Sequence, residues 1–207
     1  MYKYKNLIIS SLPLPIVSLI YFKNKYNNNI DKDHENISNS NNFSKILKDD
    51  ISGKTVLSVT KKVSDHWDNQ FINVYENEKK WLNILKDTNI IATPLSFDDN
   101  NKTITTIYSG EKINKYNIPS DWEDQRDNII KVLNNHNCRH NDIKPDEILI
   151  DQGKIKLVDF GWAYELNKEN PDIWPKCLGA EFKCNKENLM FDDRCSFDKA
   201  ILSILLS

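Results

Sequence analysis

The stretch 140–161 constrains this chain more than any other. It reads His140-Asn141-Asp142-Ile143-Lys144-Pro145-Asp146-Glu147, then two short apolar runs, 148–150 and 155–158, around Asp151-Gln152-Gly153-Lys154, and closes on Asp159-Phe160-Gly161. Apolar runs on either side of a turn of that composition predict a β-hairpin. A hairpin sets its two open ends side by side, so the acidic group within 142–147 and Asp159 must lie close together. Carboxylates that converge on one rim need a counter-charge. A divalent cation with a phosphorylated ligand supplies one, because hard cations take oxygen ligands.

At these residues the chain resembles the protein kinase superfamily. His140-Asn141-Asp142 with Lys144 stands where the catalytic loop H-R-D-x-K stands, Asp159-Phe160-Gly161 is a complete D-F-G, and the spacing between the two fits. The resemblance implies an α+β, two-lobed protein-kinase-like fold. Its N-lobe would be a small antiparallel sheet with one helix, and its C-lobe would be reduced and mainly helical. It also implies an ATP-dependent phosphotransferase that moves the γ-phosphate to a hydroxyl with the help of Mg2+. Asp142 would be the catalytic base, Lys144 would neutralise the transferred phosphoryl group, and Asp159 would chelate the metal that bridges the phosphates. Pro145 limits the conformation of Lys144 and so helps to set the turn. His140 reads as a structural residue packed under the loop rather than a proton carrier.

The residues before this stretch read as the smaller lobe. Ser52-Gly53-Lys54 is a turn signal, followed by alternation in which Leu57, Val59, Lys61 and Val63 share one face of a strand. A lysine on the apolar face is the odd residue. Resemblance to the V-A-I-K strand of kinases would make it the lysine that holds the α/β-phosphates, and parity favours Lys61 over Lys62. A helix is predicted from about 68 to 86, with Phe71, Val74, Tyr75, Trp81, Leu82 and Leu85 as its buried stripe. Glu78 lies within that stripe, where a carboxylate is costly unless paired. In a kinase-like lobe its partner would be the strand lysine. Ile90-Ile91 and 102–108 then read as two strands joined by the turn Asp98-Asp99-Asn100-Asn101. Tyr108-Ser109-Gly110-Glu111 would be the connector between lobes. By the same resemblance the adenine contact falls within 106–109, with Thr106 and Tyr108 as candidates.

In the larger lobe, Pro119-Ser120-Asp121-Trp122-Glu123 predicts a helix start with Ser120 and Glu123 as a capping box, and Asn134-Asn135 predict its end. Asp193-Arg194-Cys195-Ser196-Phe197 resembles the D-x-W-S start of a later kinase helix, where the Asp braces the catalytic loop. Three features depart from the family pattern. No G-x-G-x-x-G loop is present to cover the phosphates. Glu147 stands where kinases carry the Asn that binds a second metal, so it keeps an oxygen ligand but adds a methylene and a charge. Only 46 residues follow Gly161. These departures leave a small-molecule kinase, or a pseudokinase scaffold with little turnover, as alternatives to a kinase acting on Ser or Thr of a protein. Lys144, typical of the serine/threonine class, favours the protein acceptor.

The domain reading is an apolar N-terminal segment (1–23), an Asn-rich linker (24–42) and a kinase-like domain (43–207), its lobes dividing near 108/109. The run 7–22 is uncharged and flanked by lysines, but it is shorter than a spanning helix and holds Pro13 and Pro15. It leaves a membrane anchor, a cleaved signal and a lobe-packed segment open. A net charge of −2 with no basic block argues against a general nucleic-acid binder. Four scattered cysteines without a C-x-x-C pair argue against zinc and suit a reducing, cytoplasmic setting, with membrane association open through 7–22.

Overall fold

The structure, a computed structural model, describes residues 44–51, 54–65, 68, 72–168, 182 and 191–207. The apolar run 7–22, the Asn-rich stretch, Ser52-Gly53, Phe71 and the region around Trp174 and Cys177 lie outside the described residues. Among the described residues no helix is long and apolar enough to cross a membrane. Residues 41–207 form one compact unit.

Its first part is a four-stranded antiparallel sheet made by β1 (Ser44–Ile51), β2 (Lys54–Lys62), β3 (Pro94–Asp98) and β4 (Thr103–Ile107), in the order β1-β2-β4-β3. Helix α1 (Val74–Leu85) crosses between β2 and β3. It starts later than the sequence predicts. Asn73 caps it, its side chain accepting from the Glu76 N–H at 2.9 Å, while the Asp68 carboxylate accepts from the Val74 N–H at 2.8 Å. Asp68 therefore supports the cap from outside the helix. The predicted stripe is buried from Val74 to Leu85, with Tyr75, Trp81 and Leu82 on it. Burying each large apolar side chain contributes about 1.5–3 kcal/mol.

The strand expected at Ile90-Ile91 is placed differently. Ile91 bridges Leu157, and the Ile90 carbonyl accepts from the Leu157 N–H at 2.8 Å. The partner of β4 is instead β3, which opens on Pro94. Proline lacks an N–H for the ladder and is tolerated at the start of an edge strand, and β3 is that edge. The turn between β3 and β4 forms as predicted. The Asp98 carboxylate accepts from the backbone N–H groups of Asn100 (3.0 Å) and Asn101 (3.1 Å).

The second part holds α2 (Trp122–Asn135) and α3 (Asp193–Leu205), with short strands β5 (Glu111–Lys112), β6 (Cys138–Arg139), β7 (Ile148–Asp151), β8 (Lys154–Leu157) and β9 (Tyr164–Glu165). The strands form two small sheets, β5-β7-β8 and β6-β9. Two-residue turn geometry closes β7 on β8: Gln152 and Gly153 both have positive φ, at 50° and 77°, as such turns require. The capping box at Ser120 does not form. Asp121 is the N-cap, and its carboxylate accepts instead from the Gln125 side chain at 2.8 Å. Gln125 in turn ties α2 to the hairpin, donating to the Gly153 carbonyl and accepting from the Ile155 N–H. Among the described residues, Cys138 is a free buried thiol and Cys195 is disulfide-bonded. One apolar core runs through both parts, including Leu85, Ile91, Leu133, Leu157, Phe160 and Phe197.

Both parts of the expected α+β architecture are therefore present, joined through Tyr108-Ser109-Gly110. Gly110 has φ +95°, and a Cβ there would lie 2.0 Å from the Ile150 carbonyl oxygen. Gly110→Ala should therefore destabilise the chain by at least about 2 kcal/mol, read by urea denaturation. An unchanged midpoint would mean that the connector tolerates a side chain at this point.

Candidate active site

Alternation along β2 turns Lys61 towards α1 and leaves Lys62 exposed. The Lys61 ammonium lies 3.1 Å from Glu78 Oε2, 3.3 Å from Glu78 Oε1 and 3.0 Å from Asp159 Oδ1. Burial opposes the charge on Lys61, but the carboxylates of Asp159 and Glu78 outweigh it and hold the ammonium pKa above its usual value. The reverse holds at Glu78, where burial pushes the carboxyl pKa up to about 7 against the pull of Lys61. Asp159 comes to the same point from the end of β8. It sits in the left-handed region, φ 62° and ψ 70°, at the head of the short 3-10 turn Phe160–Trp162. Asp tolerates that region better than most side chains. Burial works against its ionisation, yet Lys61 and Lys144 keep its pKa below the usual carboxylate range.

The loop after β6 brings the second group of charges. The Lys144 ammonium lies 2.5 Å from Asp142 Oδ2 and 3.0 Å from Glu147 Oε1. Pro145 follows Lys144, which is extended at φ −151° and ψ 168°, the region that a residue before proline prefers. The 3-10 turn Pro145–Glu147 then sets Glu147 at the foot of β7. Burial and the neighbouring Asp159 carboxylate push the Glu147 pKa up to about 8. The chain of charges thus runs Glu78, Lys61, Asp159 on one side and Asp142, Lys144, Glu147 on the other.

The loop is held from below. The Asp193 carboxylate, in the first turn of α3, accepts from the His140 N–H at 2.6 Å and the Asn141 N–H at 2.9 Å. Burial raises the Asp193 pKa to about 6 despite those two donors. The His140 ring has one consistent tautomer. Its Nδ1 accepts from the Asp142 N–H at 3.3 Å, so Nε2 carries the proton and donates to the Val158 carbonyl at 2.9 Å. The ring also packs edge-on to Phe160, centroids 4.5 Å apart. A neutral imidazole committed at both nitrogens is a brace and has no proton to move.

Thr106 is half-buried within β4, opposite Val59 and Pro94. The Tyr108 N–H donates to the Leu57 carbonyl at 2.8 Å, which ties the start of the connector to β2. Three contributing residues were not foreseen from the sequence. Asn77 and Trp81 of α1, and Asn141 of the loop, donate side-chain N–H groups to the backbone just after Asp159-Phe160. The available signal was an Asn in a helix interior, where its own propensity disfavours it.

Burial pushes the His140 pKa from its ordinary 6.5 down to about 4. As pH falls through that window the unfolded chain takes up a proton that the folded chain refuses, so this residue makes the fold less stable towards acid, by up to about 3 kcal/mol. Glu78 and Asp193, whose pKa values are raised, act in the opposite sense in parent and variant alike. His140→Gln should therefore gain on the parent in relative stability between pH 7 and pH 4, measured by urea denaturation. A parent–variant difference that stays constant with pH would contradict a buried neutral imidazole.

The family model of the protein kinase domain matches residues 42–184, more than half of the chain. The match takes in the strand of Lys61, the helix of Glu78, the loop of Asp142 and the Asp159-Phe160-Gly161 turn. The chain belongs to the protein kinase family, a family of phosphotransferases.

Proposed function

We propose that this domain transfers the γ-phosphate of ATP, with Mg2+, to a hydroxyl, with Ser or Thr of a protein as the acceptor. The observation that carries the reading is the Lys61 ammonium held at 3.1 Å from Glu78 and 3.0 Å from Asp159, beside the Asp142–Lys144 pair. In this reading Lys61 binds the α/β-phosphates, and Glu78 fixes its direction. Asp142 orients the acceptor hydroxyl and takes its proton as the oxygen forms a bond to Pγ and the bond from Pγ to the bridging oxygen of ADP breaks. Lys144 neutralises charge on the phosphoryl group in flight. Positioning and charge stabilisation supply most of the rate in such a transfer.

The donor set fits the metal. Asp159 and Glu147 are hard oxygen donors; burial first, and the Asp159 charge second, raise the Glu147 pKa, and a divalent cation relieves such repulsion. Among the described residues no group of three His, Cys, Asp or Glu side chains is arranged to hold a metal ion by itself; in this reading Asp159, Glu147 and the nucleotide's own phosphates would share it. That is how Mg2+ is usually held. The chemistry supplied by such an ion would be neutralisation of negative charge on the nucleotide phosphates.

A second reading has one observation in its favour. Glu147 pairs with Lys144 at 3.0 Å, which draws Lys144 towards a carboxylate and suits a binding scaffold with little turnover. Turnover separates the two. Full-length chain incubated with Mg2+ and ATP should release γ-phosphate to a pool of Ser/Thr peptides, and Asp142→Asn should lower that rate at least about a hundredfold with nucleotide affinity within about twofold. Equal rates in parent and variant would remove Asp142 from the chemistry, and binding without turnover in the parent would favour the scaffold.

A further inference from the structure

We propose that Asn77, Trp81 and Asn141 are positioning residues that clamp the Asp159-Phe160-Gly161 turn from within, so that the Lys61–Glu78–Asp159 cluster assembles without an added phosphate. Three successive buried carbonyls follow Phe160, and all three are met by side-chain donors. The Asn77 amide donates one N–H to the Gly161 carbonyl at 2.9 Å and the other to the Ala163 carbonyl at 2.8 Å. The Trp81 indole N–H donates to the same Ala163 carbonyl at 3.0 Å. Between them, the Asn141 amide donates to the Trp162 carbonyl at 3.0 Å. Gly161, Trp162 and Ala163 are buried, and a buried carbonyl that loses its donor is costly to keep in place.

The donors sit where they couple the turn to the ion cluster. Asn77 and Trp81 are four apart and so lie on one face of α1, and Glu78 is the adjacent residue on the same turn. Any displacement of α1 that breaks Glu78 from Lys61 also breaks the bonds to Gly161 and Ala163. The packing is equally close: a Cβ on Gly161 would lie 2.5 Å from Val74 Cγ1, at the first residue of the helix. Asn141 reaches the turn from the other side, from a loop that Asp193 holds by two backbone bonds. In kinases that need activation, such a segment is ordered by a phosphate and the Arg that binds it. In this chain fixed amide and indole donors occupy the turn itself, and they are present from the moment the chain folds.

The catalytic half of this inference rests on the phosphotransferase reading, whereas the clamp itself does not. The test uses full-length parent, Asn77→Asp, which keeps shape and removes both donors, and Trp81→Phe, which keeps a buried ring and removes one. Hydrogen exchange of amides 159–163 should quicken about tenfold or more in each variant, with β7 and β8 unchanged. Turnover should fall and the apparent affinity for ATP with Mg2+ should weaken with it, because opening lowers the fraction of chains with Asp159 in place to hold metal and nucleotide. Phosphatase treatment of the parent should leave the protection of 159–163 unaltered. Unchanged exchange in both folded variants, exchange quickened throughout the chain, or protection lost on phosphatase treatment would each overturn the clamp. A parent without turnover would overturn the phosphotransferase reading, and the exchange arm would still decide the clamp.

Discussion

Lys61 carries a charge into a place where burial alone disfavours it, and it stays there because two carboxylates from distant parts of the chain meet it. Glu78 arrives on α1 and Asp159 at the end of β8, each within 3.1 Å of the ammonium. A buried charge without a partner costs several kcal/mol. The three residues therefore hold each other, and with them the sheet, the helix and the turn. Glu78 shows the dependence plainly: burial pushes its pKa to about 7 even with Lys61 beside it.

The rest of the architecture presents this cluster to the loop of Asp142. Asp193 fixes the loop's backbone, and the His140 ring joins that backbone to Val158 one residue before Asp159. Both parts of the site are thus set by buried hydrogen bonds to main-chain atoms, which leave less freedom than contacts between long side chains. On the opposite side the hairpin of β7 and β8 carries Glu147 and Asp159 at its open ends. Two carboxylates brought together in that way create a demand for positive charge, which Lys61 and Lys144 meet in part.

Much of this was legible in the sequence because it lies in short, contiguous patterns. The hairpin was visible in two apolar runs and a Gln-Gly turn, and the buried face of α1 in its helical spacing. Alternation along β2 favoured Lys61 over Lys62 as the lysine on the apolar face. Other features were hidden because they depend on partners far away in the chain. Ile90 and Ile91 are apolar enough to read as a strand, but their neighbour is Leu157. Ser120 carries the chemistry of a cap, yet the chain turns one residue later and Gln125 engages Asp121. Asn77 and Trp81 look like a neutral surface residue and a core aromatic. Only the fold shows that both aim an N–H at the same carbonyl, that of Ala163, more than eighty positions on.

The most direct test of the account is the thermal stability of the full-length chain and of Lys61→Met with ATP alone, Mg2+ alone and both together. A ligand that binds only the folded state raises its apparent stability by mass action. The parent should show a rise that requires ATP and Mg2+ together and is largely lost in Lys61→Met. An equal rise in both chains would contradict the central place given to Lys61.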